Sequence, residues 1–245
     1  MISNSLRQQI CVALEEKRLT LVETTVTQLW ANPFWQDRFG ERGKRYFYED
    51  SNYHIDTLIT VIQMDSPQFL TQHYAWLRGV LVHRGMCSRH LLQTLTVFDE
   101  QVAAQLPTFW DSIRAYAATA YDGLVYADPA CQILAQAEER LAVQVTQRIL
   151  QEKPAWALRL GTRGEALCYE DVRYHLSFLQ DALGFQEPQI FTDYLAWISG
   201  FLEARRLTPQ MLHLSLSYLA QEIEQSMPAG SATAALQLLR STAVA

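Results

Sequence analysis

The chain contains 245 residues, 49% of them apolar, so it can bury one large core or two ordinary ones without a disulfide or a structural metal. The net charge of −6 and the lack of any run of Lys and Arg argue against a nucleic-acid partner. No stretch reaches the roughly 18 consecutive apolar residues of a membrane span, and the first residues lack the basic-then-apolar pattern of a signal peptide. We therefore expect a cytoplasmic protein, in which the four isolated cysteines are reduced thiols.

The second half of the sequence resembles the first. An offset of 121 residues aligns Arg42–Pro107 with Arg163–Pro228 without a gap, and about 19 of about 66 aligned residues are identical. Agreement of this extent indicates a tandem duplication. We therefore predict an all-α protein of two repeated helical-bundle modules, residues 1–121 and 122–245.

Each copy is predicted to begin with two helices. The spacing of apolar residues places the first helix at about 19–31 and 138–152, and the second at about 43–63 and 164–183. A Pro-x-Trp turn joins the two helices in both copies.

The third helix of each copy is predicted to open at a proline, Pro67 or Pro188, because the first helical position does not need the missing N–H. It carries an apolar stripe, which we expect to face the core. The stripe consists of Phe69, Leu70, Trp76, Leu77, Val80 and Leu81 in the first copy, and of Ile190, Phe191, Trp197, Ile198, Phe201 and Leu202 in the second.

A final helix is predicted from Ser88 in the first copy and from Thr208 in the second, each ending before a proline. Two further segments, 108–127 and the Ala-rich 231–245, follow the copies and also have helical character. We expect such extra helices to pack the copies against each other.

The densest agreement between the copies is a Tyr-Glu-Asp-x-x-Tyr-His motif on the second helix. Asp50 and His54 are four residues apart, as are Asp171 and His175, so each pair lies on one helix face together with apolar residues. The imidazole should therefore point toward the core. Two interpretations are open: a buried histidine whose second nitrogen is held by a carboxylate or a carbonyl group, and a ligand-binding or proton-sensing dyad.

Four residues of the third-helix region join these pairs as candidate cofactor-binding residues. Trp76 and Trp197 lie within the apolar stripe, where an indole fills a core or forms the wall of a ligand pocket. Arg84 and Arg205 follow the tryptophans, and a charge at that place needs either a local carboxylate or the carboxylate of a bound molecule.

Gly79 and Gly200 lie inside the third helices, where glycine is less favourable than alanine by about 1 kcal/mol. We expect them to allow either a close approach of another helix or room for a ligand.

The sequence predicts neither catalytic nor metal-ligating residues. A carboxylate-bridged metal centre would need Glu-x-x-His motifs, which neither copy has. The remaining histidines are not duplicated, so a zinc site built from them would exist in one half only. There is also no Gly-x-Ser-x-Gly motif and no glycine-rich phosphate loop.

The order of Pro-x-Trp, Arg-Gly, Tyr-Glu-Asp-x-x-Tyr-His and Phe-Thr-Asp-Tyr-Leu-Ala-Trp resembles small all-helical bacterial modules, many of them cyanobacterial. Such modules occur alone or beside sensory and corrinoid-binding domains. The resemblance covers nearly all of both copies and implies a sensory or regulatory setting. The first copy departs from the pattern at His73-Tyr74, which puts the equivalence of the two halves in doubt.

These observations favour a non-enzymatic regulatory or scaffold protein that binds a protein partner or a small ligand, and they are compatible with a homodimer. The alternative is a carrier or sensor of a tetrapyrrole or similar planar cofactor, although the sequence requires no cofactor. His54 and His175 would then be contacts or axial ligands, with the tryptophans and arginines lining the pockets. An enzyme that uses the Asp–His pairs for acid–base chemistry is the third hypothesis.

Overall fold

We describe residues 2–155, 158, 161–204 and 210–242 of a computed structural model of the protein, without the side chains of residues 162, 241 and 242. These residues form ten α-helices and no strand, which confirms the predicted all-α class. None of the described helices has both the length and the apolar character needed to cross a membrane.

The helices follow one another in this order: α1 (Asn4–Trp30), α2 (Pro33–Met64), α3 (Gln68–Val82), α4 (Ser88–Gln105), α5 (Trp110–Asp122), α6 (Pro129–Glu152), α7 (Gly164–Gly184), α8 (Pro188–Ala204), α9 (Gln210–Ser226) and α10 (Ala229–Thr242). A 3-10 turn, Gly161–Arg163, precedes α7. The predicted start of the last helix of the second copy, Thr208, lies outside the described residues, as does Arg205.

Side-chain caps and prolines explain several helix starts. Asn32 accepts a hydrogen bond from the Phe34 N–H at the start of α2, and Asp128 does the same for the first N–H groups of α6. A proline follows each of these caps.

Three helices begin earlier than predicted, and one of them is α6, which starts at Pro129 rather than near residue 138. The first helix starts at Asn4 rather than near residue 19, because the buried side chains of Ile10 and Leu14 continue its apolar face. The second starts at Pro33 rather than near residue 43 and bends at Gly40, whose φ of 60° is a conformation that glycine adopts readily.

The chain divides into two compact units. The first unit contains Met1–Val80 and His90–Val125, and the second contains Leu81–Arg89 and Tyr126–Ala245. Residues 81–89 precede the sequence boundary near residue 121, yet their contacts assign them to the second unit.

In the first unit, α1 packs along α2, and α5 also contacts α2. The fully buried side chains come from all five helices, Leu70 of α3 and Ile113 of α5 among them, and Trp35 is one of the largest. They include Ile10, Leu14, Leu21, Val26, Ile55, Leu58, Ile62 and Phe98.

In the second unit, α6 packs along α7, α8 contacts α7, and α9 and α10 contact α6. Its core contains Leu134, Leu141, Val145, Tyr174, Phe178, Leu179, Phe191, Tyr194 and Leu219.

The predicted core stripe of the third helix is only partly correct. On α3 the buried side chains are those of Leu70, Tyr74, Arg78 and Val82, whereas Phe69 and Trp76 are exposed. A spacing of four residues fits one face of a helix, and Phe69 and Trp76 lie beside that face. The prediction was wrong for these two residues because α3 has apolar side chains on more of its circumference than the core covers.

Of the two glycines predicted to allow close packing, Gly200 does not have this role. A Cβ at Gly200 would meet no atom within 4 Å, so close helix approach does not explain this residue. A Cβ at Gly123 would lie 2.4 Å from the Thr71 carbonyl oxygen, and one at Gly184 would lie 2.2 Å from the Tyr126 ring. These two positions therefore have no room for a larger residue.

Candidate functional site

His54 of α2 forms a hydrogen bond with a tyrosine in the first unit. Its Nδ1 lies 2.5 Å from the hydroxyl oxygen of Tyr74 on α3. The imidazole also meets the Phe98 ring edge to face at 4.4 Å between centroids. Burial, together with the nearby charge of His73, lowers the pKa of His54 to about 3. The imidazole is therefore neutral at physiological pH.

His175 of α7 has the same kind of partner in the second unit. Its Nδ1 lies 2.7 Å from the hydroxyl oxygen of Tyr194 on α8, and only 3% of the residue is exposed. The Tyr194 ring stacks on Phe178 with 3.9 Å between centroids. Burial lowers the pKa of His175 to about 4, so this imidazole is also neutral.

The two tyrosines do not occupy equivalent sequence positions. Tyr74 follows His54 by 20 residues, whereas Tyr194 follows His175 by 19. At the 121-residue offset the counterpart of Tyr194 is His73, the point at which the first copy departs from the family-like pattern. Each unit therefore provides a hydroxyl for its histidine from a different position on the next helix.

The predicted Asp–His dyads are not formed. Asp50 and Asp171 are exposed, and the hydrogen-bond partner found for each histidine is a tyrosine hydroxyl rather than a carboxylate or a carbonyl group. Residues four apart share a helix face, but Asp50 lies at its edge while His54 reaches inward. Partial burial and the charge of Glu170 raise the pKa of the Asp171 carboxyl to about 7, yet it forms no hydrogen bond with His175 among those described. The described geometry therefore provides no Asp–His acid–base pair.

Of the four predicted tryptophan and arginine site residues, the three that the structure describes differ in how far they are exposed. Trp76 is 62% exposed, which contradicts its predicted place in the core. Trp197 is half-buried and contacts the Phe201 ring at 5.3 Å between centroids. Arg84 is exposed in the turn after α3, and Arg205 lies outside the described residues.

A half-buried acidic group near Tyr74 was not predicted. The Tyr121 hydroxyl donates a 2.8 Å hydrogen bond to Oδ2 of Asp99. Burial raises the pKa of Asp99 to about 6, and the hydrogen bond from Tyr121 partly opposes this shift. Asp99 has an alanine at its counterpart position, Ala220, so a comparison of the copies gave no signal for it.

Asp181 is the most highly connected buried carboxylate described in the second unit. Its two oxygens accept hydrogen bonds from the Ser88 N–H at 2.8 Å, the Ser88 hydroxyl at 2.5 Å and the Tyr126 hydroxyl at 2.6 Å. Ser88 is the first residue of α4, and the N–H groups in the first turn of a helix have no acceptor within the helix. Asp181 therefore anchors this helix start within the second unit.

Arg89 is buried next to this anchor. Its Nη2 and Nε donate to the two carboxylate oxygens of Glu170 at 2.7 and 3.3 Å, and its Nη1 donates to Glu138 at 3.2 Å. The guanidinium also lies over the Tyr174 ring, 5.6 Å from the centroid. Glu170 and Tyr174 belong to the shared motif, so the motif gave a signal for this site, but Arg89 itself is not duplicated.

The described side chains do not suggest a metal centre. Among residues 2–155, 158, 161–204 and 210–242, no three His, Cys, Asp or Glu side chains are placed to hold a metal ion.

Comparison with models of protein families, with curated proteins and with solved structures found no match. The resemblance to small bacterial helical modules therefore remains a prediction from the sequence.

Proposed function

We propose that the chain is a non-enzymatic regulatory or scaffold protein that binds a protein partner through one face of α3. This α3 aromatic face is defined by Phe69, His73 and Trp76. The partner is a protein with an apolar groove that receives this face of the helix.

The exposure of Trp76 is the observation that carries the proposal. Trp76 is 62% exposed and Phe69 is 45% exposed, and the half-buried His73 lies between them with its ring 5.9 Å from the indole. Residues at positions i, i+4 and i+7 form one row along a helix, which is the spacing of anchor residues in helix-in-groove complexes. Tryptophan is also among the residues most enriched at binding hot spots.

The corresponding face of the second unit supports the same interpretation. At the 121-residue offset Phe69, His73 and Trp76 correspond to Ile190, Tyr194 and Trp197. Ile190 and Tyr194 are buried and Trp197 is half-buried. The second unit therefore packs this helix face against its own core, whereas the first unit leaves Phe69 and Trp76 exposed.

A tetrapyrrole-type carrier receives less support. Two of its proposed pocket residues, Trp76 and Arg84, are exposed.

Affinity purification from the organism of origin tests the proposal. We expect a protein that copurifies with the wild-type chain to be lost from the Trp76→Ser variant. The matched control is Leu19→Ser, which removes an apolar side chain that is 70% exposed on α1. Retention of the same proteins by the Trp76→Ser variant would contradict the proposal.

A further inference from the structure

The second unit contains an occupied arginine site. As described above, the guanidinium of Arg89 pairs with Glu170 through two donors and lies over the ring of Tyr174. Glu170 and Tyr174 are four residues apart on α7, so both side chains reach the same arginine from one helix face.

The first unit has the same two residue types at the corresponding positions of α2. Glu49 and Tyr53 are again four residues apart, and both are exposed, Tyr53 by 67%. Within the described part of the chain, no hydrogen bond or ion pair involves the side chain of either residue. A carboxylate and a tyrosine ring are thus displayed together without a cation.

We propose that Glu49 and Tyr53 form a binding site for an arginine side chain of a partner protein. The site lies on α2 and does not depend on the α3 aromatic face. Arginine fits better than lysine, because its planar group can pair with a carboxylate through two donors while it stacks on an aromatic ring.

The basic side chains on either side of Glu49 have other partners. Arg18 of α1 pairs with Glu15 at 2.6 Å and with Asp56 at 2.5 Å. Arg45, four residues before Glu49 on α2, lies over the Tyr46 ring, 5.6 Å from the centroid, and the described ion pairs include none between Arg45 and Glu49. A charge-complementary partner therefore presents a basic residue to this surface.

The partner is a different protein rather than a second copy of this chain. At the 121-residue offset the counterpart of Arg89 is Gln210, which carries no guanidinium. The second half of a neighbouring copy therefore has no arginine at the position that corresponds to Arg89.

A peptide titration of the full chain tests the proposal. The probe is a synthetic peptide with the sequence Met86–Leu95, whose one arginine is Arg89. We expect the Tyr53 ring signals in NMR spectra to shift with a dissociation constant of about 1 mM, the range expected of a single exposed site. An Arg89→Gln peptide should bind about tenfold more weakly, and an Arg89→Lys peptide about threefold.

Variants of the protein locate the effect. Glu49→Gln should weaken binding of the arginine peptide about tenfold, whereas Glu41→Gln, a change of an exposed glutamate on the same helix, should not. Unmoved Tyr53 signals, equal binding of the arginine and glutamine peptides, or equal losses in the two protein variants would each overturn the proposal.

Discussion

The same motif lies on α2 of the first unit and on α7 of the second, but the two helices use it differently. His54 and His175 both turn inward and bond to a tyrosine. Tyr53 is 67% exposed, whereas Tyr174 is fully buried beneath Arg89. Both copies therefore keep a histidine that ties neighbouring helices together, whereas the Glu–Tyr pair is seen to receive an arginine only in the second unit.

The largest expected effect concerns a residue found in one unit only. Asp181→Ala should lower the free energy of unfolding by about 3 kcal/mol, because three buried donors would lose their acceptor. Urea denaturation followed by circular dichroism measures the change. Thr60→Ala, at the corresponding exposed position of α2, should cost about 0.5 kcal/mol or less. Similar losses of unfolding free energy in the two variants would contradict the conclusion that α7 has a buried anchor that α2 lacks.

The histidine ties should differ in strength. Tyr194→Phe leaves Nδ1 of the buried His175 without a partner, and we expect a loss of about 2 kcal/mol in the free energy of unfolding. Tyr74→Phe should cost about 1 kcal/mol, because the residue His54 is more exposed than His175. Urea denaturation of both variants gives the comparison, with the exposed Tyr53→Phe as the control. A loss at Tyr74 as large as that at Tyr194 would contradict this account.

The pH dependence of stability sharpens the comparison further. The pKa of His175 is about 4 in the folded chain, below the ordinary value of 6.5, so the unfolded chain binds more protons between these pH values. Stability should therefore fall as the pH drops below about 6.5, and His175 alone should account for about 2 kcal/mol between pH 7.5 and pH 5. In the His175→Gln variant, the free energy of unfolding should therefore change by about 2 kcal/mol less between pH 7.5 and pH 5 than in the wild type, and denaturation at both pH values measures this. His213→Gln, a change of an exposed histidine, should behave as the wild type does.

Much of the fold follows from local sequence signals. Pro188 is predicted to open the third helix of the second copy, and α8 begins at this residue. The predicted helix at 164–183 matches α7, Gly164–Gly184, within one residue at its end. Local hydrogen bonding and apolar spacing determine these features, so a single sequence is sufficient to predict them.

The candidate site was harder to predict from the sequence, because it depends on how neighbouring helices are rotated about their axes. The stripe of α3 could not reveal that Tyr74 faces inward while Trp76 faces outward, since both fit an amphipathic pattern. The one-residue difference in spacing between His54–Tyr74 and His175–Tyr194 also hid the shared hydrogen bond from a gap-free alignment. Arg89 gave no signal because its counterpart is Gln210.

Native mass spectrometry of the protein purified from its own source tests the proposed function most directly. We expect the wild-type chain to carry a second protein, and the Trp76→Ser variant to appear at its sequence mass alone. A small molecule that leaves on denaturation, without any bound protein, would contradict the account and favour a cofactor carrier.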